Sequence, residues 1–291
     1  MRATFTATES CPLLAFLFAQ LPEVKRIKVR QWLKYGGVTV NGVVVVYSDH
    51  PLTAGDRVEL SPKAKAAPGP RLPAGMAIRY EDESVIVIEK PANLLSVASD
   101  AGGETTAYTA LNDYVRSDRR NRQSRIWIVH RLDRETSGLM VFARTEVAKR
   151  TLQENWSLAE KRYFAVSDGA PPAEAGTLRN DLDESNAFRV HIARRSESTR
   201  EAITRYRIVR RSAKRTLFEL TLETGRRHQI RVQLAGIECP IVGDPKYHPA
   251  GAAGKRMALH SCALSFPHPV SGTRLSFESA LPAELERIMG G

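Results

Sequence analysis

The sequence predicts an α+β protein of two units: a small α+β unit, then a larger one built on a mixed, mostly antiparallel sheet with flanking helices. Three observations point there. Residues 62–75, PKAKAAPGPRLPAG, are rich in Pro, Ala and Gly and carry no apolar periodicity, so they read as an extended connector between 11–61 and 76–291. Short, near-continuous apolar runs at Val85 to Glu89, Ile126 to Val129 and Leu139 to Ala143 read as buried strands. Strand pairs flanking polar turns come after these, with helical spacing among them, which sums to a strand-rich α+β unit.

Taken in order, Leu13, Leu14, Phe16, Leu17 and Leu21 supply the apolar positions of a first helix. A second runs from Val24 to Tyr35 with Ile27, Trp32 and Leu33 inward, and Gly36-Gly37 stops it. Val38 to Val40 and Val43 to Val46 flank Asn41-Gly42, a strong two-residue hairpin signal. Gly55-Asp56 makes another turn before Arg57 to Leu60. In the larger unit Glu146 to Glu160 reads as a helix with Val147, Leu152, Trp156 and Ala159 on one face, followed by a strand at Tyr163 to Val166. Ile203 to Val209 and Leu217 to Leu222 form a long hairpin. Met257 to Phe266 and Leu275 to Phe277 form another, with Ser271-Gly272 at its tip, and Pro282 starts a short last helix.

With 291 residues, 42% of them hydrophobic, the chain can bury a core. Its 43 Lys and Arg against 32 Asp and Glu give a net charge of +11, which speaks to partners rather than fold and favours polyanions, RNA first. No apolar stretch is long enough to cross a bilayer, so no membrane association is expected. The N-terminal apolar patch is broken by Pro12 and Gln20 and lacks a signal-cleavage pattern. Cys11, Cys239 and Cys262 are far apart with no CxxC pair, and the histidines show no ligand spacing, so neither a disulfide framework nor a metal site is expected. A reducing, cytoplasmic compartment fits.

Three segments carry candidate chemistry. In His130-Arg-Leu-Asp-Arg-Glu-Thr-Ser-Gly138, a loop between two apolar strands, Asp133 has Arg131 and Arg134 near it in sequence. A guanidinium nearby favours the charged carboxylate, which suits a nucleophile or base, although an isolated loop Asp is more often a cap or salt-bridge residue. Thr224 to Leu234 reads as a helix capped near Thr224 and ended by Gly236, with Ile230 and Leu234 toward the core and Arg227, His228 and Arg231 able to share a face. A buried Arg there wants a carboxylate. Tyr163 is able to stack on a base and offer a hydroxyl, or to serve as plain core. Several cation clusters invite phosphate contact or simply solvation. They are Lys25, Arg26, Lys28, Arg30 and Lys34 on the second helix, Arg116, Arg119, Arg120, Arg122 and Arg125 before the Asp133 loop, and Arg205, Arg207, Arg210, Arg211, Lys214 and Arg215 at the long hairpin.

These segments together resemble the RluA-type pseudouridine synthases. His130-Arg-Leu-Asp-x-x-Thr-Ser-Gly138 matches that family's signature at every defining position. Lys90-Pro-Ala-Asn-Leu-Leu95 is similar to its first motif, and Gly225-Arg-x-His-Gln-Ile-Arg-Val232 with Pro240-Ile-Val-Gly-Asp244 and Tyr247 to its last. The likeness spans roughly 78–280 with the motifs in order. It implies an isomerase acting on RNA uridines without a cofactor. Asp133 would be the catalytic carboxylate, Arg231 its partner, and Tyr163 the residue that stacks on the target base. Arg131 would fill the space the flipped base leaves, with His130, Arg134 and His228 near the substrate. Residues 11–61 resemble the small RNA-binding domain named after ribosomal small-subunit protein four, through Lys28-Val-Arg-Gln-Trp-Leu33, Gly37 to Gly42 and Gly55-Asp56, which would put Lys28 and Arg30 on RNA. That pairing implies large-subunit ribosomal RNA as substrate, transfer RNA as the alternative, and a monomer. Asn93 stands where the family has Gly, which Asn tolerates in a left-handed turn. Ser96-Val-Ala-Ser99 and Gln233, where many members have His, are further departures.

Two other readings stand beside it. One is a non-catalytic RNA-binding assembly factor on the same fold, against which the joint presence of Asp133, Tyr163 and Arg231 argues. The other is a glycoside hydrolase, which needs a second acid. Asp244 is the nominee, but Gly243-Asp244-Pro245 reads better as a turn.

Overall fold

The computed structural model describes the chain apart from residues 1–2, 35, 46–47, 49, 62–71, 99–104, 118–123, 187, 252–255 and 291. Most of the expected connector at 62–75, and Arg119, Arg120 and Arg122, lie outside the described residues. Two compact units emerge, Met1–Arg71 and Leu72–Gly291. Among the described residues no helix is long and apolar enough to cross a membrane.

The first unit contains β1 (Ala3–Thr6), β2 (Cys11–Pro12), α1 (Leu13–Gln20), α2 (Arg26–Lys34), β3 (Val38–Val40), β4 (Val43–Val44), β5 (Pro51–Leu52) and β6 (Arg57–Leu60). Its main sheet has the order β1-β6-β3-β4. Asn41 and Gly42 both take positive φ, 51° and 82°, which is what a tight hairpin of right-twisted strands requires. Gly36, at φ 69°, ends α2 as expected. The inward face of α2 holds Leu33 and, partly buried, Trp32 as expected, and differs at Ile27. Ile27 is 70% exposed, while Val29 and Leu33, one turn apart, are buried with Leu13 and Leu17 of α1. Val29 is two residues from Ile27 and therefore on the opposite side of the helix. Strand β1 has no counterpart in the sequence pattern, because ATFT is too short to show alternation.

The second unit contains β7 (Ala77–Glu81), β8 (Val85–Lys90), α3 (Ala107–Ser117), β9 (Trp127–Ile128), β10 (Ser137–Ala143), α4 (Glu146–Glu154) and β11 (Glu160–Asp168). Next come β12 (Ala175–Asp183), β13 (His191–Ala193), β14 (Thr199–Arg211), β15 (Arg215–Leu222), α5 (Gln229–Gly236), β16 (Leu259–Pro267), β17 (Arg274–Glu278) and α6 (Ala283–Gly290). The large sheet runs β13-β12-β14-β15-β11-β16-β10-β8-β7, with β17 on β16 and β9 on β10. It is mixed and mostly antiparallel, as expected.

Both faces of its centre are covered, which is why β8 and β10 are apolar without alternation. Ile86, Ile88, Met140 and Phe142 pack with α3, α5 and α6. Val85, Val87, Leu139 and Val141 pack with Ala148 and Leu152 of α4. The helix expected over Glu146 to Glu160 stops at Glu154, and a 3-10 turn at Trp156–Leu158 carries the chain into β11. Val147 is 74% exposed; Ala148 takes the inner place, because Thr145 caps the helix by accepting from the Ala148 amide at 3.1 Å.

One junction sets the geometry of the Asp133 loop. β10 meets β16 in parallel through Ser137↔His260 and Gly138↔Ser261 alone, whereas β10 pairs with β8 along its length from Gly138 to Ala143. Gly138 has φ +113°, and a Cβ there would lie 2.2 Å from the Ser261 carbonyl oxygen, so only glycine admits this approach.

Candidate active site

The loop from His130 to Gly138 leads into β10, and its backbone is fixed by Ser96 and Lys90. Ser96 Oγ donates to the Leu132 carbonyl at 2.7 Å and accepts from the Leu132 amide at 3.1 Å. Lys90 is fully buried, and its ammonium donates to the carbonyls of Pro91 (3.0 Å), Leu94 (2.7 Å) and Arg134 (3.2 Å). The turn that wraps Lys90 depends on Asn93 at φ 64°, the left-handed conformation expected for Asn in place of Gly. Burial draws the Lys90 pKa down to about 7 against the pull of Asp133 and Glu135.

β10 is tied to β16 by side chains as well. Ser137 Oγ lies 2.7 Å from His260 Nδ1, and His260 Nε2 lies 3.0 Å from Ser279 Oγ. Ser279 donates to the Glu89 carboxylate, which can only accept, and Arg256 donates to Ser137. These directions leave His260 with its proton on Nε2 and Nδ1 accepting from Ser137.

Across the junction, Arg231 projects from α5 with 1% of its side chain exposed. Its Nε and Nη2 donate to Asp244 Oδ2 and Oδ1 at 2.8 and 2.9 Å, a bidentate pair. Its Nη1 donates to Asp133 Oδ2 at 2.8 Å. Glu135 stands 3.8 Å from the same nitrogen. Asp133 therefore meets a guanidinium 98 residues away in sequence, while its neighbours Arg131 and Arg134 are exposed.

Burial raises the cost of charge on Asp244. The Arg231 bonds and the amides of Lys246 and Tyr247 more than reverse it, holding the carboxyl below its ordinary value. The expectation for Asp244 as a mere turn residue is thus incomplete: it makes the turn through those two amides and clamps Arg231 with the same carboxylate. Nothing in a Gly-Asp-Pro triplet shows the second role.

The helix expected from Thr224 begins only at Gln229. His228 adopts φ 53° at its start, and the preceding loop is closed by Gln229, whose Oε1 accepts from Thr224 Oγ1 and the Arg226 amide, each at 2.9 Å. Arg227 is consequently not on the helix face of Arg231. Gln233, buried, accepts from Thr204 Oγ1 and donates to Leu178 O, Asn180 Oδ1 and Ala202 O, holding α5 to β12 and β14.

Around Asp133 opens a pocket lined by Arg131, Tyr163, His228 and Arg231 among others. Tyr163 is buried at 8% exposure, so it is core and pocket wall at once. Burial, with Asp133 adding to it, pushes its hydroxyl far above the ordinary tyrosine range, which keeps it a neutral phenol. His228 Nε2 is 3.9 Å from Asp133 Oδ2, and its Nδ1 is 3.0 Å from the Tyr247 hydroxyl. Burial lowers its pKa to about 4, opposed by Asp133 and assisted by Arg231.

Not every expected contact residue is here. His130 is absent from the pocket wall: Nε2 accepts from the Val141 amide at 3.1 Å and the ring lies 4.7 Å from Trp156, so the imidazole braces the loop from behind. Lys28 and Arg30 belong to the first unit, exposed over the rings of Trp32 and Phe18. The cations of the long hairpin prove largely paired: Arg205 with Glu223, Arg207 with Glu219, Arg210 with Glu286, Arg211 with Glu174 and Arg215 with Asp168. That pairing weakens the expectation of a phosphate grip there.

Comparison with known proteins fits this geometry. A family model described as RNA pseudouridylate synthase matches residues 84–236. Ribosomal large subunit pseudouridine synthase D of Xanthomonas campestris pv. campestris is 36% identical, with 95% of this chain and 86% of the relative covered. The protein of that name from Escherichia coli strain K12 is 32% identical, over 94% of this chain and 88% of the relative. Among solved structures, human RNA pseudouridylate synthase domain containing 4 superposes with a TM-score of 0.61 at 25% identity, covering 72% of this chain and 90% of that one.

Proposed function

The chain belongs to the RNA pseudouridylate synthase family, and on that premise we propose that it isomerises uridines of large-subunit ribosomal RNA, with Asp133 as the reacting carboxylate. The relatives' names support the ribosomal substrate. The observation that carries the role of Asp133 is its 2.8 Å bond to a buried Arg231 in the wall of an open pocket. A target uridine leaves its stack at a cost of a few kcal/mol and enters that pocket against Tyr163. Asp133 then attacks the uracil ring or the ribose anomeric carbon, or takes a proton from the ribose. The N-glycosidic bond breaks, the base turns, and carbon-5 bonds to the sugar as the bond to Asp133 breaks or the ribose proton is returned; the proton on carbon-5 then leaves and N1 takes one up, so Asp133 is regenerated. Arg231 stabilises the carboxylate before the attack, and its preset position avoids reorganisation during it. Arg131, exposed at the pocket mouth, occupies the stack position the uridine vacates. His228 and Arg134 flank the bound strand.

The first unit, read as a domain like that of ribosomal small-subunit protein four, contributes RNA affinity through Lys25, Arg26, Lys28 and Arg30, all exposed. The protein acts as a cytoplasmic monomer. The test is tritium release from RNA labelled at uracil carbon-5. The wild type releases it from large-subunit rRNA transcripts, and Asp133→Ala releases none while still binding. Turnover by that variant, or release from transfer RNA alone, overturns the corresponding part.

A further inference from the structure

We propose that Phe188 is a second base-binding position, whose exposed ring stacks on an unpaired nucleobase of the bound RNA outside the Asp133 pocket. The inference rests on the RNA-modifying reading of that pocket. Among the described residues Phe188 is the only exposed Phe, Tyr or Trp side chain, at 80%. A single exposed apolar residue needs no explanation, so exposure alone decides nothing; the way the ring is held does.

The described residues between β12 and β13 are bonded at Glu184, Asn186, Phe188 and Val190. The Arg227 guanidinium donates to the carbonyls of Glu184 and Asn186, and its amide donates to the Glu184 carboxylate at 2.7 Å. Lys246 Nζ donates to the carbonyl of Phe188 itself at 2.9 Å. The Val190 amide donates to the Tyr247 hydroxyl at 2.9 Å, and that hydroxyl lies 3.1 Å from the Val190 carbonyl. Phe188 is thus presented outward by a braced segment.

The braces are those of the active site. Tyr247 also bonds His228, which stands beside Asp133. The amides of Lys246 and Tyr247 are held by Asp244, the carboxylate that clamps Arg231. The surroundings are cationic: Arg189 lies over the Tyr247 ring at 5.4 Å, Lys246 is adjacent, and Arg194 and Arg195 come directly after β13, both exposed. The carboxylate on this segment, Glu184, is engaged by the Arg227 amide. A flat apolar face among cations, on a segment tied through Tyr247 to His228 of the Asp133 pocket, is the composition that single-stranded RNA recognition uses, since every base has a π face and every linkage a phosphate.

The experiment measures binding of the full chain by fluorescence anisotropy. Its probes are labelled decauridylate and a ribose-phosphate strand of the same length without bases. Phe188→Ala weakens decauridylate binding by about 5- to 150-fold, the range of one base–aromatic stack, and leaves the abasic strand unchanged. Phe188→Leu, apolar but without a π face, behaves like the Ala variant, and Phe188→Trp restores wild-type binding. Unchanged decauridylate affinity in Phe188→Ala, or equal losses on both strands, overturns the proposal. Because turnover is not read, the result holds separately from tritium release: a chain that binds through Phe188 but isomerises nothing refutes the catalytic reading alone.

Discussion

Asp244 holds Arg231 by two parallel hydrogen bonds and leaves Nη1 as the nitrogen that meets Asp133. The guanidinium is positioned from the buried side, where Asp244 has no exposure, so its aim does not depend on the carboxylate it serves. The two carboxylates therefore separate: one fixes the cation from behind, the other lines the pocket.

Asp244→Asn is expected to destabilise the fold by about 3–5 kcal/mol, since it leaves a buried guanidinium half-matched. It should also lower kcat/KM roughly 100-fold through misplacement of Nη1. Asp133→Asn should abolish turnover yet cost less than Asp244→Asn, because Asp133 is the more exposed of the two carboxylates and Arg231 keeps its bidentate partner. Urea unfolding and tritium release on both variants check the contrast; equal destabilisation contradicts it.

Tyr163→Phe should lose less than the roughly 100-fold that a general acid–base group contributes. With its hydroxyl far above the ordinary range, Tyr163 supplies no titrating group near neutrality. The pH–rate profile of the Phe variant should have the same limbs as the wild type between pH 6 and 9, and disappearance of a limb would assign the phenol a proton-transfer role.

Stability should decline as pH falls, first through buried Lys90, lowered from 10.5 to about 7, and then through the histidines below about 6.5. Burial lowers His130 to about 3, and His228 and His260 each to about 4. Between those values and 6.5 the unfolded chain binds protons that the folded one refuses, so unfolding free energy drops with pH through this window; the histidine contribution levels off below it, where the depressed Asp244 begins to add its own loss. Urea midpoints from pH 8 to pH 4 read the effect, and His260→Asn should flatten the slope by removing one contributor.

Gly138→Ala should cost at least about 3 kcal/mol, because it combines positive-φ strain with a Cβ inside the Ser261 backbone. Thermal unfolding measures it. A near-neutral outcome would mean that β10 and β16 stand far enough apart to admit a methyl group.

The central strands and the Asn41-Gly42 hairpin are legible in the sequence, since both signals are local: continuous apolar runs and a turn that demands two positive φ values. Strand β12 is hidden there because AGTLRNDLD is polar, lying in the sheet with little of it buried. The helix at Ala107–Ser117 carries a readable signal that the apolar runs around it overshadow; Ala107, Leu111 and Val115 are spaced by four and buried. In the site, Asp133, Arg231 and Tyr163 follow from the motifs, and their meeting is a long-range fact. What pattern does not carry is which atoms each polar side chain satisfies. The motif points His130 at substrate, yet the ring braces a strand, and Lys90, Ser96 and Gln233 carry framework bonds that only the folded chain shows.

The parallel junction of β10 and β16 has a mechanical consequence. Asp133 stands on one bank of that crease and Arg231 on the other, and two residue pairs are all the backbone that staples β10 to β16 directly. Leverage from a long ligand lying across both halves would concentrate there, altering the acid–base gap before it disturbed any other part of the sheet. A poorly seated strand would pull the pair out of alignment, and a well-seated one would leave it closed.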